Sequence, residues 1–323
     1  MFIAILSSFP IKDYDYHIIE NTISPVTAAM GGMNVTNIDD CALLYNNVAL
    51  LSYLKYSTMQ LSARVNLDEE QSFSEILHFS NTLKQTIINY FSFTIDTGGF
   101  AYQPLANVHQ NRTWGDSIQY KEYEDYQLSS YQIGISEKND YLSYGLNLKY
   151  LSGRLVYLKE HSYDDNWLKD DFIDDKVNGF SADLSFSIMK DHYAYGLNLY
   201  DVFSKLWWRD NPNKNLVRRA AFGTQIMRNG NIYMSGVSSR LELDTQHLYH
   251  FGIQRTLIAK GRAIPIRMGA YSRKFAYADE IFISFGMGYY IGQTFRIDIS
   301  ATNNGFDLNK AKYLLSFSLK IVE

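Results

Sequence analysis

The sequence predicts an all-β fold, a transmembrane antiparallel β-barrel of about 14 strands preceded by a short N-terminal plug. Two observations support this class: apolar side chains alternate with small or polar ones along much of the chain, and charged residues gather between these runs. A third is composition, since 26 Tyr, 19 Phe and 4 Trp account for 15% of 323 residues. Aromatic girdles are typical of membrane barrels at both interfaces.

Period-two alternation is clearest in four runs, at residues 281–289, 313–321, 180–188 and 193–199. In the first, Ile, Phe, Met and Tyr occupy odd positions and Ser or Gly lies between many of them. A short polar turn is expected at residues 189–192. Weaker strand runs lie at residues 59–65, 90–95, 131–135, 142–150, 222–226, 232–237, 251–255, 264–271 and 295–300. Helical periodicity is confined to residues 24–54 and 69–84.

Alternation alone does not separate a soluble sandwich, a propeller and a membrane barrel. The composition of the polar face separates these classes. Many of its residues are Ser, Gly, Asn or Gln, whereas a soluble sandwich exposes a charged face. The short link at 189–192 contrasts with residues 158–178, which are rich in Glu, Asp, Lys and His and are expected to form an aqueous loop. Tight turns on one side and long loops on the other favour an outer-membrane barrel. A soluble Tyr-rich β core is the alternative.

Composition narrows the function classes. Thirty Lys and Arg against 34 Asp and Glu give a net charge of −4, so a general nucleic-acid binder is not expected. The lone Cys41 cannot form an internal disulfide. No run of about 18 apolar residues predicts a membrane helix. We expect residues 1–22 to be an export-signal remnant and N-terminal extension, residues 23–54 a plug or hatch, and residues 55–323 the barrel.

Small and acidic residues mark the predicted hatch. The paired glycines Gly31 and Gly32 allow close backbone packing. Either Asp39 or Asp40 is expected to cap a short helix over residues 41–45. The pair Asn46 and Asn47 follows, before Val48 and Ala49.

This order resembles the opening of FadL-like outer-membrane barrels, in which a small-residue run, a Gly-Gly pair, acidic residues and an aromatic-Asn-Pro-Ala-Leu stretch precede the first strand. The proline of that pattern is absent here, since the chain reads Asn46-Asn47-Val48-Ala49.

A second part of the resemblance lies in mid-chain. Residues 180–188, 195–209 and 217–223 are similar to the family's strand, Gly-Leu-x-Leu-x-Asp stretch, Lys-x-x-Trp-like element and return strand. Among the branches, the chain looks most like the PorQ and PorV barrels of the Bacteroidetes type IX secretion system. The two matches cover about a third of the sequence. The chain ends Ile321-Val322-Glu323, without the terminal aromatic residue of many outer-membrane barrels.

The resemblance implies a non-enzymatic accessory scaffold of type IX secretion and cell-surface attachment, located in the bacterial outer membrane. The alternative is a FadL-like transporter for hydrophobic small molecules. A transporter is expected to have a continuous apolar cavity beneath the hatch, and a scaffold to have a plugged lumen and an exposed partner surface. Expected partners are outer-membrane lipid and lipopolysaccharide, with secretion-system proteins or a hydrophobic ligand as further candidates, and no nucleic acid.

Two further groups are candidate functional residues. The cluster of Trp207, Trp208 and Arg209 is expected either to anchor a strand at the membrane interface or to line a pocket for an apolar ligand. The alternation around Arg296 and Asp298 places both charges in the lumen, which favours a filled or narrow barrel.

Motifs for chemistry are absent from the sequence. No nucleophile elbow, phosphate-binding loop or two-histidine metal motif occurs, so no catalytic residue, metal or cofactor is expected. The acidic residues between 164 and 175 are expected to form a solvated loop, with calcium binding as the less favoured interpretation. His247 and His250 should point to opposite faces of a strand.

Overall fold

The computed structural model describes residues 23–65, 86–116, 118–163, 166–241, 247–259, 261–272, 281–304 and 311–321. Within these residues the chain forms a closed antiparallel barrel of 14 strands, which confirms the predicted class and strand number. Two short helices, α1 (Pro25–Ala29) and α2 (Leu43–Asn46), and a 3₁₀ helix (Val48–Tyr53) precede it. The expected export-signal remnant at 1–22 and helix at 69–84 lie outside the described residues.

The strands follow one another around the barrel in chain order. They are β1 (Ser57–Val65), β2 (Thr86–Thr94), β3 (Gly98–Trp114), β4 (Gln119–Lys138), β5 (Ser143–Tyr163), β6 (Asn166–Lys190), β7 (Tyr193–Trp208), β8 (Arg219–Arg228), β9 (Asn231–Arg240), β10 (His247–Ala259), β11 (Arg262–Ser272), β12 (Ile281–Ile291), β13 (Phe295–Asn303) and β14 (Lys312–Ile321). Each alternating run predicted from the sequence falls in one of them, apart from Ile95 and Leu142, which lie one residue outside β2 and β5. The first strand pairs with the last, from Ser57 opposite Ile321 to Val65 opposite Tyr313, so no edge remains open.

The outer surface is an apolar belt. Many large apolar side chains that face outward are more than a third exposed; examples are Ile133, Leu148, Phe222, Phe251, Ile253, Met268 and Phe285. On β6 the outward row from Ile188 to Phe180 has Ala182 as its only small member, and Asn178 and Lys176 continue it toward the outside. That length matches a tilted strand crossing hydrocarbon. The belt places the barrel in the bacterial outer membrane.

The two ends of the barrel differ. At one end, called the inner end, links such as 191–192 and 229–230 contain four residues or fewer. At the other, the outer end, β3 to β7 extend as long hairpins, and connections such as 209–218 are longer. Short periplasmic turns and longer extracellular loops identify the outer end as extracellular. In the described residues, no helix has the length and hydropathy needed to cross a bilayer.

Two local predictions are wrong. Residues 158–163 and 166–178 are not a loop: they form the outer parts of β5 and β6, which pair from Leu158 opposite Phe172 to Tyr163 opposite Asn166. Charged side chains are tolerated there because these strand halves project into water. The second correction concerns α2, which begins at Leu43 instead of residue 41 and has no side-chain cap. The Asp40 carboxylate binds the Ala42 amide instead.

A hatch-filled lumen as the candidate functional site

The hatch, residues 23–54, lies inside the barrel. Its side chains are largely buried, and α1, α2 and the 3₁₀ helix contact strands around the barrel. The strands make room by presenting glycines inward. A β-carbon added at Gly196 would stand 1.9 Å from the Val35 carbonyl oxygen, and one at Gly269 would stand 2.2 Å from the Gly31 amide nitrogen. Other glycines in close contact with the hatch are Gly134, Gly145, Gly223, Gly236, Gly252 and Gly286. The backbones of hatch and wall therefore touch directly.

One buried carboxylate organises the hatch. Asp40, fully buried, accepts five hydrogen bonds, from the side chains of Ser24, Thr27, Asn34 and Asn46 and from the Ala42 amide. These donors lie in or next to α1 and α2, apart from Asn34, which lies between the two helices. Because a buried carboxylate without such partners is strongly disfavoured, the network fixes one conformation of residues 24–46.

Barrel side chains hold the hatch through its backbone. His250 Nδ1 donates to the Gly31 carbonyl oxygen at 2.6 Å, and Arg296 Nη1 donates to that of Asp39 at 2.8 Å. From the opposite wall, Asn147 donates to Leu44 O, and Asn198 and Tyr200 donate to Asn46 O. The hatch is thus tied to β5, β7, β10 and β13.

A layer of buried charge lies beside the hatch. Lys149 Nζ lies 2.7 Å from an Asp183 oxygen and 3.0 Å from an Asp201 oxygen, and Arg219 reaches Asp201 at 3.4 Å. Asp201 has φ 55, at a bulge where β6 and β7 change register. A left-handed backbone is tolerated by Asp, and here it directs the carboxylate to both cations.

The predicted lumen charges Arg296 and Asp298 are both buried and face inward. Arg296 Nη2 donates to Asp298 Oδ1 at 2.7 Å, and Arg267 Nη1 donates to the same oxygen at 2.8 Å. Arg267 also binds Gln254. This second cluster braces β10, β11 and β13 beside the hatch.

An apolar layer follows toward the outer end. Along β5 the inward residues change from Asn147, which binds the hatch, to Lys149 and then to Leu151 and Leu155. The apolar cluster, defined as the buried residues of this layer, contains Leu105, Ala106, Tyr126, Leu128, Leu151, Leu155, Val177, Leu206, Trp208 and Leu216. Leu216 belongs to the 209–218 connection, so that connection contributes a side chain to the lumen.

A weak seam in the wall adjoins this cluster. The ladder between β2 and β3 has only four residue pairs and ends at Phe91 opposite Tyr102. Bulges flank it: Asn89 is the extra residue of β2, and Leu105 that of β3, next to Pro104. Asn89 is buried, and within the described residues neither the nitrogen nor the oxygen of its side-chain amide has a hydrogen-bond partner.

The structure separates the predicted aromatic cluster. Trp207 points outward and is 45% exposed, whereas Trp208 points inward, with its ring centroid 6.2 Å from that of Tyr126. Arg209 pairs with Asp210, and its amide donates to Asp175. Asn47 bridges the Val35 and Phe186 carbonyls. His247 is exposed and His250 is buried on the inner face.

The sequence did not reveal the apolar cluster or the buried charges of Lys149, Asp183, Asp201 and Arg219. One signal was present, because Lys149 and Asp183 fall on the inward positions of runs that were recognised as strands. The partner Asp201 is 52 residues from Lys149, and no local pattern joins them. The apolar cluster is hidden for another reason: its residues lie in strand halves whose outward positions are polar.

A closed barrel with an apolar belt and a luminal N-terminal segment defines an outer-membrane β-barrel with an internal hatch. Similar solved structures are the toluene transporter TodX of Pseudomonas putida (TM-score 0.58, 9% identity, 93% of this chain and 98% of that one) and the toluene transporter TbuX of Ralstonia pickettii (0.57, 10%, 94% and 99%). A FadL homologue of Pseudomonas aeruginosa is also similar (0.55, 9%, 94% and 99%). The likeness establishes a FadL-like fold. No protein-family model matches the sequence, and no curated protein matches it.

Proposed function

We propose that the protein conducts hydrophobic small molecules across the outer membrane. The observation that carries this proposal is the apolar cluster at the outer end of the lumen, since polar solutes need a wet interior and apolar solutes need an apolar one. The fold likeness to toluene transporters supports it. A transporter was expected to have a continuous apolar cavity beneath the hatch; the apolar cluster lies instead between the hatch and the outside.

The proposed route runs from the apolar cluster to the seam. Leu105 and Ala106 belong to the cluster and also border the part of β3 that has no ladder with β2. A solute that displaces the cluster's packing reaches this seam before it meets Lys149, Asp183 and Asp201. An apolar solute that passed these buried charged groups would lose its apolar contacts and gain none. Lateral exit between β2 and β3 is therefore the path of lower free energy.

The experiment measures uptake of radiolabelled toluene by bacteria that lack their own hydrocarbon channels and express the full chain. We expect faster initial uptake than in cells with empty vector. Leu155→Asn, which puts an amide into the apolar cluster, should slow uptake several-fold. Leu168→Asn is the matched control, because Leu168 is exposed on the outer part of β6. Uptake equal to that of empty-vector cells, with folded barrel present in the outer membrane, would overturn the proposal.

The type IX scaffold remains a second hypothesis that rests on the sequence resemblance to PorQ and PorV. The filled lumen around the hatch favours it, because a scaffold needs no open path. It requires secretion-system partners, and a Bacteroidetes source belongs to the same hypothesis; the structural comparisons support neither. Stable co-purification of secretion proteins from the native host, together with no toluene uptake, is the outcome expected of a scaffold.

A further inference from the structure

A cleft of about 340 Å³ lies on the lipid-facing side of the barrel wall. Its lining residues on β6 and β7 point outward except Ser204, so the cleft opens on the face of the wall opposite the apolar cluster. They are Phe180, Phe203, Ser204, Lys205 and Trp207, joined by Asn215 and Arg218 from the segment that leads into β8.

The cleft exists because β7 extends beyond the end of its ladder with β8. The ladder between β7 and β8 ends at Tyr200 opposite Arg219, while β7 continues to Trp208. Beyond the Asp201 bulge the strand is joined to the returning chain by one bridge, between Leu206 and Lys214, and by the Ser204 hydroxyl, which bonds to the Leu216 backbone. The outward face therefore has a gap between the outer half of β7 and residues 215–218.

The cleft lies at the outer membrane interface. Aligned across β3 to β6, Tyr102, Tyr131, Tyr150 and Phe180 are successive partners, and Lys205 of β7 is the next. Such an aromatic row is typical of the headgroup level. On β6, Phe180 is the last apolar residue of the belt before Asn178 and Lys176.

Its chemistry combines aromatic rings with two free cations. The Phe180 ring centroid lies 5.3 Å from those of both Phe203 and Trp207. Within the described structure, neither Lys205 nor Arg218 has an ion-pair partner. Neighbouring outer cations differ, since Arg154 pairs with Asp174 and Arg209 with Asp210.

We infer that this cleft binds a phosphorylated lipid of the outer leaflet, namely the phosphorylated glucosamine headgroup of lipopolysaccharide. Lys205 and Arg218 bind the phosphate by charge-assisted hydrogen bonds. The aromatic rings pack against the sugar and the first acyl segment, where amphipathic rings are favoured. An apolar solute would offer no anionic group to Lys205 or Arg218, so charge complementarity favours the anionic lipid. The inference is independent of transport through the lumen.

The test titrates diphosphorylated lipid A into the purified, folded full chain in neutral detergent and counts bound lipid by native mass spectrometry. The double variant Lys205→Gln/Arg218→Gln should bind about tenfold more weakly or worse, as expected for the loss of charge-assisted contacts. Arg154→Gln is the matched control, because it also removes an outer cation but one already paired with Asp174. Its affinity should equal that of the unchanged protein.

Two further arms decide the chemical class. Lipid A stripped of both phosphates should bind to the unchanged protein as weakly as the diphosphorylated lipid binds to the double variant. Inorganic phosphate at millimolar concentration should not displace the lipid, because it lacks the ring and acyl contacts. Equal affinity of the double variant and the Arg154→Gln control would overturn the proposal, and so would full displacement by inorganic phosphate. Arg218→Gln alone, which changes no strand residue, should show an intermediate loss.

Discussion

Lys149 shows how the interior tolerates charge. Its ammonium group is buried between Asp183 and Asp201, and a third interaction joins Asp201 to Arg219. The two carboxylates also have Ser181 and a backbone amide as donors, so few polar atoms in the cluster are left without partners. Removing one member of such a cluster leaves an uncompensated charge away from water.

Lys149→Met is therefore expected to lower the free energy of unfolding by about 3–5 kcal/mol. Urea unfolding of the detergent-solubilised barrel, followed by tryptophan fluorescence, measures this. Arg154→Met is the control, since Arg154 and its partner Asp174 are exposed and screened by water, and only a small change is expected. Similar losses in the two variants would contradict the buried-charge interpretation. The double variant Lys149→Met/Asp183→Asn should recover part of the loss.

Cys41 supplies a natural reporter of hatch position. It is the single cysteine of the chain, it is buried, and burial raises the pKa of its thiol above the ordinary value. Both effects lower reactivity, since only an accessible thiolate attacks a maleimide. Slow labelling in the native barrel is thus the baseline for changes that move the hatch.

Substitution of a strand glycine that contacts the hatch is such a change. Gly196→Ala places a β-carbon 1.9 Å from the Val35 carbonyl oxygen, so the hatch must shift or loosen. We expect maleimide labelling of Cys41 to accelerate roughly tenfold or more, because overpacking costs about 1–3 kcal/mol. In Gly98→Ala the new β-carbon meets only the Gly134 carbonyl oxygen within 4 Å, at 3.3 Å, so labelling should stay near its baseline. Unchanged labelling in Gly196→Ala would show that the hatch is not held by this contact.

Strand elements differ in how far the sequence predicts them. Strands β12 and β14 carry apolar residues at alternate positions and mainly small or polar residues between them, without a bulge, so alternation finds them. Strand β3 was missed because Pro104 and the bulge at Leu105 break its period. The outer parts of β5 and β6 were mistaken for a loop because water surrounds them, and charged side chains then carry no strand signal. Glycines and acidic residues predict a hatch at residues 23–54, but the contacts of this segment involve strands up to 257 residues away.

The orientation of the whole barrel is open to a direct test. The tip between β3 and β4 lies at the outer end, and the turn between β6 and β7 lies at the inner end. In a Cys41→Ser background, Asp116→Cys should react with a membrane-impermeant maleimide on intact cells. His192→Cys should react only after the outer membrane is permeabilised. Both positions are exposed, so accessibility alone does not separate them. The reverse pattern would invert the barrel and remove the extracellular position of the apolar cluster.

Closure of the barrel by β1 and β14 has a consequence for the order of assembly. The hatch is the first described part of the chain to be synthesised, yet the wall that surrounds it is complete only when residues 312–321 pair with β1. Ser57 and Ile321 are near opposite ends of the sequence, and such long-range pairing forms slowly. We therefore expect the hatch to settle against β5, β7, β10 and β13 while one side of the sheet is still open. In such an assembly the strands fold around the N-terminal segment, and pairing of the last hairpin with β1 encloses that segment.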